Sequence, residues 1–200
     1  MTLERTIRPR GPYWLALSGR RASDPTRRFG NGVLTCLLAG GERAGARQLS
    51  DGALALHAET EAGIDQLRFV LGADDDHSVF LERFRDDELL AGPIRHLRGL
   101  RPIRTATVTH ALMRAIVSQL ITSREARSIE WRLLHSTTER VDRLVAPPLP
   151  HHFAEFAPAQ LQRFGLPARK ASELVARLTG APRRALYDGA VKPPAPPTLL

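Results

Sequence analysis

Residues 106–134, ATVTHALMRAIVSQLITSREARSIEWRLL, decide the fold of the second half of the chain. Leu112, Ile116 and Leu120 recur every fourth residue, and Met113 and Val117 widen the stripe. That period predicts a helix over Thr107 to Leu120, buried on most of its surface. Thr122-x-x-Glu125 has the form of a capping box. The Thr hydroxyl and the Glu carboxylate each take an N–H group that a helix start leaves unpaired, so a new helix is expected there. It carries Ile129, Trp131 and Leu133, and Ala146-Pro147-Pro148 with Pro150 ends it.

Upstream, the period is different. Residues 1 to about 59 read as strands and turns. The expected strands are Tyr13 to Ser18, Val33 to Leu38 behind Gly30-Asn31-Gly32, a polar stretch behind Gly40-Gly41, and Ala53 to Ala58 behind Ser50-Asp51-Gly52. Short runs split by Gly and Asn/Asp turn signals predict an antiparallel sheet. From Thr60 the pattern turns helical: Ile64, Leu67 and Leu71 share one face. A second helix holds Val79, Phe80, Leu81 and Phe84 behind the Asp74-Asp75-Asp76 cluster, and a third runs from Asp86 to Leu97. Arg101-Pro102 is a break.

Downstream, Pro158 to Phe164 is a short helix and Ala168 to Leu178 another, with Ala171, Leu174, Val175 and Leu178 on one face. The pattern collapses after Gly180, and residues 192–200 hold four prolines, the composition of a polyproline II or disordered tail. The expected fold class is therefore α+β: an N-terminal antiparallel sheet with helices, then an incomplete all-α helical bundle. The expected domains are residues 1–102, β-rich with helices in its second half, residues 103–180, helical, and residues 181–200, a Pro-rich tail.

Composition narrows the partners. The net charge is +8, and only Lys170 and Lys192 among the basic residues are lysines. Coding-sequence composition can account for Arg over Lys, but not for the sign of the charge. An arginine excess of this size favours a polyanion, because each neutralised phosphate releases condensed counterions. The arginine pairs Arg20-Arg21, Arg27-Arg28 and Arg183-Arg184 are candidate phosphate contacts or simply solvated surface.

The single cysteine, Cys36, sits in an apolar run and reads as a buried small hydrophobe. Asp74-Asp75-Asp76-His77 reads as a helix start and His151-His152 as a loop, so no metal or cofactor is expected. No P-loop, GxGxxG, GxSxG or HExxH pattern occurs. Neither a signal-peptide h-region nor an apolar run of membrane-crossing length is visible, so a cytoplasmic protein with no membrane partner is expected.

The chemistry-bearing candidate is the helix end Gln119-Leu120. A glutamine followed by a bulky apolar residue at a helix tip is a tool for prying at a base pair. Leu120 equally fits the last core position of its helix, four residues after Ile116.

The order of strands, helices, Gly99-Leu100-Arg101-Pro102 and then Ala111 to Thr122 resembles bacterial DNA-3-methyladenine glycosylase II, of the helix-hairpin-helix DNA glycosylase superfamily. The resemblance runs from about Arg8 to about Leu178 and is strongest over Gly99 to Leu134. Leu161-Gln162-Arg163-Phe164-Gly165-Leu166-Pro167-Ala168-Arg169-Lys170-Ala171 supplies a second matching block. The resemblance implies excision of alkylated purines from duplex DNA, by base flipping and hydrolysis of the N-glycosidic bond, without a cofactor. It also implies DNA contacts at Gln119, Leu120, Thr122, Arg169 and Lys170, with Leu120 as the wedge in the vacated gap.

Three departures accompany it. His110 stands where the family tends to have an acid, and carries no assigned role. The family's hairpin motif and catalytic aspartate are not found after the second block, so no catalytic residue is identified. Asp188 lies too close to that block to take the role. The expectation is a chain truncated before its catalytic part, with a non-catalytic DNA-binding module or an inactive product as the alternative.

Overall fold

The computed structural model describes residues 2–20, 22, 24–119, 122–154 and 156–191, with side chains left undescribed at 154 and 188–191. Two compact units form. One comprises Met1–Ala106 with Arg140–Pro147; the other comprises residues 107–139 and 148 onward.

The first unit is a five-stranded antiparallel sheet with helices. Its strands are β1 (Leu3–Ile7), β2 (Arg27–Gly30), β3 (Val33–Leu37), β4 (Arg43–Gln48) and β5 (Leu54–Ala58), in the order β1-β5-β4-β3-β2. Register follows the alternation of side chains. Leu34, Ala46 and Leu56 form one cross-strand row, and all three are fully buried. Helix α2 (Glu61–Leu71) contributes Ile64, Leu67, Val70 and Leu71 to the same core. Asn31 and Gly32 join β2 to β3 with φ of 50° and 76°. A two-residue loop with positive φ at both positions matches the twist of the strands, which is why Asn-Gly stands there.

Tyr13–Ser18, expected as a strand, is instead an extended entry into the short helix α1 (Leu15–Gly19). Gln48 explains the difference. Its carboxamide accepts from the Leu15 N–H (2.9 Å) and donates to the Tyr13 carbonyl (2.8 Å), so that backbone is satisfied without a sheet partner. The strand that does pair at this edge, β1, has the sequence LERTI with three exposed central residues, and carries little apolar signal.

Helices α3 (Ser78–Arg83) and α4 (Ala91–Leu97) complete the segment before residue 100. α3 buries only Leu81, while Val79 and Phe80 stay exposed, and α4 starts five residues later than expected. Asp74 pairs with Arg68 and Asp75 with Arg104 (each 2.8 Å), and Asp76 accepts from the Ser78 N–H (2.9 Å).

The segment Gly99 to Pro102 is a clasp rather than a break. Trp14 approaches so closely that a Cβ at Gly99 would meet its Cγ at 2.7 Å and its backbone nitrogen at 2.8 Å. Arg101 is 2 % exposed and donates to the carbonyls of Gly72 (2.6 Å), Pro12 (3.1 Å) and Arg10, with its guanidinium over the Tyr13 ring. Arg27, half of an expected surface pair, is likewise interior: it bonds Asp24 (2.9 Å) and the carbonyls of Ala22 and Ile103. Arg28 is exposed, and Arg21 lies outside the described residues. A short hairpin, β6 (Arg140–Val141) and β7 (Leu144–Val145), also belongs to this unit; the Val145 N–H bonds the Pro25 carbonyl at 2.9 Å.

Among its described residues the second unit has only helices as regular structure: α5 (Val108–Val117), α6 (Ser123–Thr137), α7 (His151–Ala154), α8 (Pro158–Gln162), α9 (Ala168–Thr179) and α10 (Arg183–Val191). Met113, Ile116, Ile129, Leu133, Phe153, Leu161, Ala171 and Leu174 are among its buried side chains. Trp131, on the opposite face of α6, is exposed and stacks on His135. Residues 183–191, expected to begin a Pro-rich tail, are helical and pack against α8 and α9. Pro182 immediately precedes this helix, a position where its missing N–H costs nothing. The expected tail at residues 192–200 lies outside the described residues.

Candidate nucleic-acid interface

Helix α5 ends earlier than its apolar stripe suggests. The Ser118 N–H still reaches the Arg114 carbonyl at 2.9 Å, and Gln119 makes only a long bond to Ile116 at 3.4 Å. Gln119 is therefore exposed on the turn beyond the helix. Leu120, the expected wedge, lies outside the described residues.

Thr122 is spent on the start of α6. Its hydroxyl accepts from the Glu125 N–H (3.3 Å), while the Glu125 carboxylate accepts from the Thr122 hydroxyl (2.8 Å) and N–H (3.0 Å). These bonds, the hydroxyl's first, hold the Glu125 carboxyl below the usual carboxylate range.

Arg169 and Lys170 occupy the first turn of α9, behind Pro167. Cations there oppose the helix dipole, at a typical cost of about 0.3–1 kcal/mol each. Glu173 partly answers them: its carboxylate lies 3.8 Å from Lys170 and 3.9 Å from Arg183. The Lys170 ammonium also donates to the Gln119 side-chain oxygen. That bond joins two sequence-distant candidates and leaves the Gln119 NH2 group available as a donor.

Gln119, Arg169 and Lys170 thus converge on one cavity of about 360 Å³. Val117, Ile129, Leu166 and Pro167 give it an apolar floor, and Glu173 and Arg183 complete the rim. Thr122 is not among the lining residues. Apolar lining beside cationic and amide groups suits a planar polar ring carrying a nearby phosphate.

A second polar group, missed in the sequence, is buried in this unit. Glu130 is 5 % exposed and His110 fully buried, with His110 Nε2 2.8 Å from Glu130 Oε1. Arg114 approaches the same carboxylate at 3.3 Å. The signal was available: Glu130 interrupts the buried stripe Ala126, Ile129, Leu133 and Leu134.

His151 and His152 lie at α7, where His152 Nδ1 accepts from the Leu149 N–H at 2.9 Å; burial, with His151 beside it, lowers the His152 pKa. Asp188 falls within α10, its side chain outside the described part. No helix among the described residues is long and apolar enough to cross a membrane.

Residues 160–192 match the family model described as the RsmI C-terminal HTH domain, which covers α9, α10 and most of α8. No curated protein matches the chain. Among solved structures it is similar to the 3-methyladenine DNA-glycosylase from Archaeoglobus fulgidus, with a TM-score of 0.73 and 18 % identity, over 88 % of this chain and 66 % of that one. MBOgg1 in complex with a low-affinity DNA ligand matches at 0.67 and 16 %, over 88 % of this chain and 62 % of that one. The Clostridium acetobutylicum 8-oxoguanine glycosylase/lyase bound to DNA matches at 0.61 and 13 %, over 94 % and 76 %. The chain spans just under two thirds of the length of the first two. At these identities the likeness is one of fold, and the chain has the α+β fold of these DNA glycosylase structures.

Proposed function

We propose that this chain belongs to a base-excision DNA glycosylase, binding duplex DNA and acting on alkylated purines of the 3-methyladenine type. The observation that carries the reading is the convergence of Gln119, Arg169 and Lys170 on a single cavity, within a glycosylase-like fold. Those are three of the five positions that the resemblance in sequence marks as DNA-facing.

Flipping a base costs a few kcal/mol of stacking and pairing, which contacts to the opened duplex must offset. Lys170 and Arg169 supply charge for the backbone phosphates. Lys170 holds the Gln119 carboxamide, which can donate to a base edge, and Leu120 fills the vacated stack. Hydrolysis then breaks the bond from C1′ to the base nitrogen, with water adding to the sugar and the base leaving. No side chain among the described residues is assigned to that step.

The test is a base-release assay on methylated duplex DNA, followed by hot alkali to cut at abasic sites. Excision by this chain requires release of free 3-methyladenine with alkali-labile breaks above the buffer control, which would mean that the chain holds a catalytic carboxylate beyond the assigned residues. DNA binding without any release would sink the excision activity. A Leu120→Ala variant addresses the wedge: weaker DNA binding at unchanged melting temperature is expected, whereas lost stability with unchanged affinity would make Leu120 a core residue.

A further inference from the structure

The first unit carries a second basic site, far in sequence from the α9 cluster. The hairpin β6–β7 stands beside the outer face of β2 and β3 and leaves a groove of about 680 Å³. Arg28, Arg43 and Arg143 line it, together with Asn31, Thr35 and one acid, Asp142. Arg43 is paired with Asp142, and both are well exposed. So exposed a pair contributes little and yields readily to a competing anion. Arg28 and Arg143 are exposed and make no ion pair or side-chain hydrogen bond with any described residue.

The chain places these guanidiniums by local rules. Arg28 is on the outer face because Arg27 and Phe29 turn the other way, Arg27 being interior. Arg143 is at the hairpin tip, which the Arg140 side chain closes by donating to the Asp142 carbonyl at 2.9 Å. Gly30 and Gly32, on either side of Asn31, have open space where a Cβ would stand, so a ligand backbone can approach the turn closely. Two unpaired guanidinium forks, a weakly held third, a hydroxyl and a carboxamide around one groove are the donor set for phosphodiester oxygens.

We infer that the groove between the β2–β3 hairpin and the β6–β7 hairpin is a second nucleic-acid contact, taking backbone phosphates of duplex DNA through Arg28 and Arg143. The inference builds on the duplex-binding part of the proposed function and is independent of base release.

The experiment measures binding of the full chain to undamaged duplex DNA across a series of salt concentrations. Arg28→Ala/Arg143→Ala is compared with wild type, with Arg28→Lys/Arg143→Lys, and with Lys170→Ala. Each phosphate contact contributes about 0.9 to the slope of log K against log salt. The alanine pair should flatten the slope by about 2, the lysine pair should restore most of it, and the melting temperature should not change. Wild-type slope and affinity in the alanine pair, with Lys170→Ala weakened, would overturn the groove while leaving the proposed function intact. Conversely, a flattened slope in a chain that releases no base would leave the groove standing and remove the excision activity. Inorganic phosphate at low millimolar concentration and fixed ionic strength should not displace the DNA. Displacement confined to the Arg28- and Arg143-dependent part would make this a small-phosphate site and overturn the inference.

Discussion

Single buried residues set the terms on which this fold holds charge. Arg101, Arg27 and Glu130 are interior, and each has a partner distant in sequence: Arg101 bonds carbonyls some 29 to 91 residues away, Arg27 the Ile103 carbonyl 76 residues away, and Glu130 the His110 ring 20 residues away. Sequence reading places arginines outside by default. Arg101-Pro102 therefore looked like a break, and only the carbonyls converging on it show the clasp. Cys36 was legible because an apolar run has one physical meaning. It is 2 % exposed, and burial pushes its thiol up to about 12, with Arg27 pulling it partly back. A raised folded pKa means that the unfolded chain loses its proton first. The stabilisation is complete below the unfolded value near 9.0 and disappears as pH rises through about 12. The Tyr13 hydroxyl, also raised by burial, adds to the same alkaline loss. Native protein should accordingly resist thiol-specific alkylation at pH 8, and its melting temperature should fall between pH 9 and 11. Cys36→Ala should flatten that fall. An equal fall in both proteins would mean that the thiolate plays no part.

Elements were readable where their signal is local and hidden where their partners are distant. The α6 capping box, the Asn31-Gly32 hairpin and the apolar face of α9 follow from neighbours within a few residues. Strand β1 was missed because three of its five side chains face solvent, and the helix after Pro182 because its packing against α9 cannot be seen in a short arginine- and alanine-rich stretch. The candidate site was legible in its members and not in its assembly: Gln119 and Lys170 stood out separately, 51 residues apart, but their bond depends on how α5 and α9 pack. The cap at α6 gives a quantitative test. Thr122→Ala removes the two bonds the hydroxyl makes with Glu125, leaves the one from the Thr122 N–H to the carboxylate, and should cost about 1 kcal/mol, within a usual range of about 0.5–2. Because the Glu125 pKa is depressed in the folded state, its contribution is present above the unfolded carboxyl pKa and is lost as pH falls through the folded one. The difference between wild type and Thr122→Ala in urea melts should therefore be larger at pH 7 than at pH 3. A constant difference would show that Thr122 acts without the carboxylate.

For the whole molecule, chain order and compactness disagree, and the disagreement has a cause. The sequence divides at Pro102, but the sheet unit reaches to Ala106 because the Arg104 N–H bonds the Val70 carbonyl (2.8 Å) and Gln66 bonds the Ala106 carbonyl (3.0 Å). It also recaptures residues 140–147 after the long helix α6, through β6–β7 and the bond from Val145 to Pro25. Each unit is thus built from two stretches of chain, which no reading of composition along the sequence can show. Hydrogen exchange separates the assignments, because amides open with the cooperative unit that holds them. Leu56 is fully buried in the sheet core, and Leu56→Ala should destabilise that unit by roughly 2–5 kcal/mol. In that variant the amides of Arg104 and Val145 should speed up together with those of β3 and β4. Those of Ala126 and Ala171, at the starts of α6 and α9, should change much less. If Val145 instead keeps pace with the helical amides, the 140–147 hairpin belongs energetically to the helices that flank it in sequence, and the two-stretch description of the sheet unit fails.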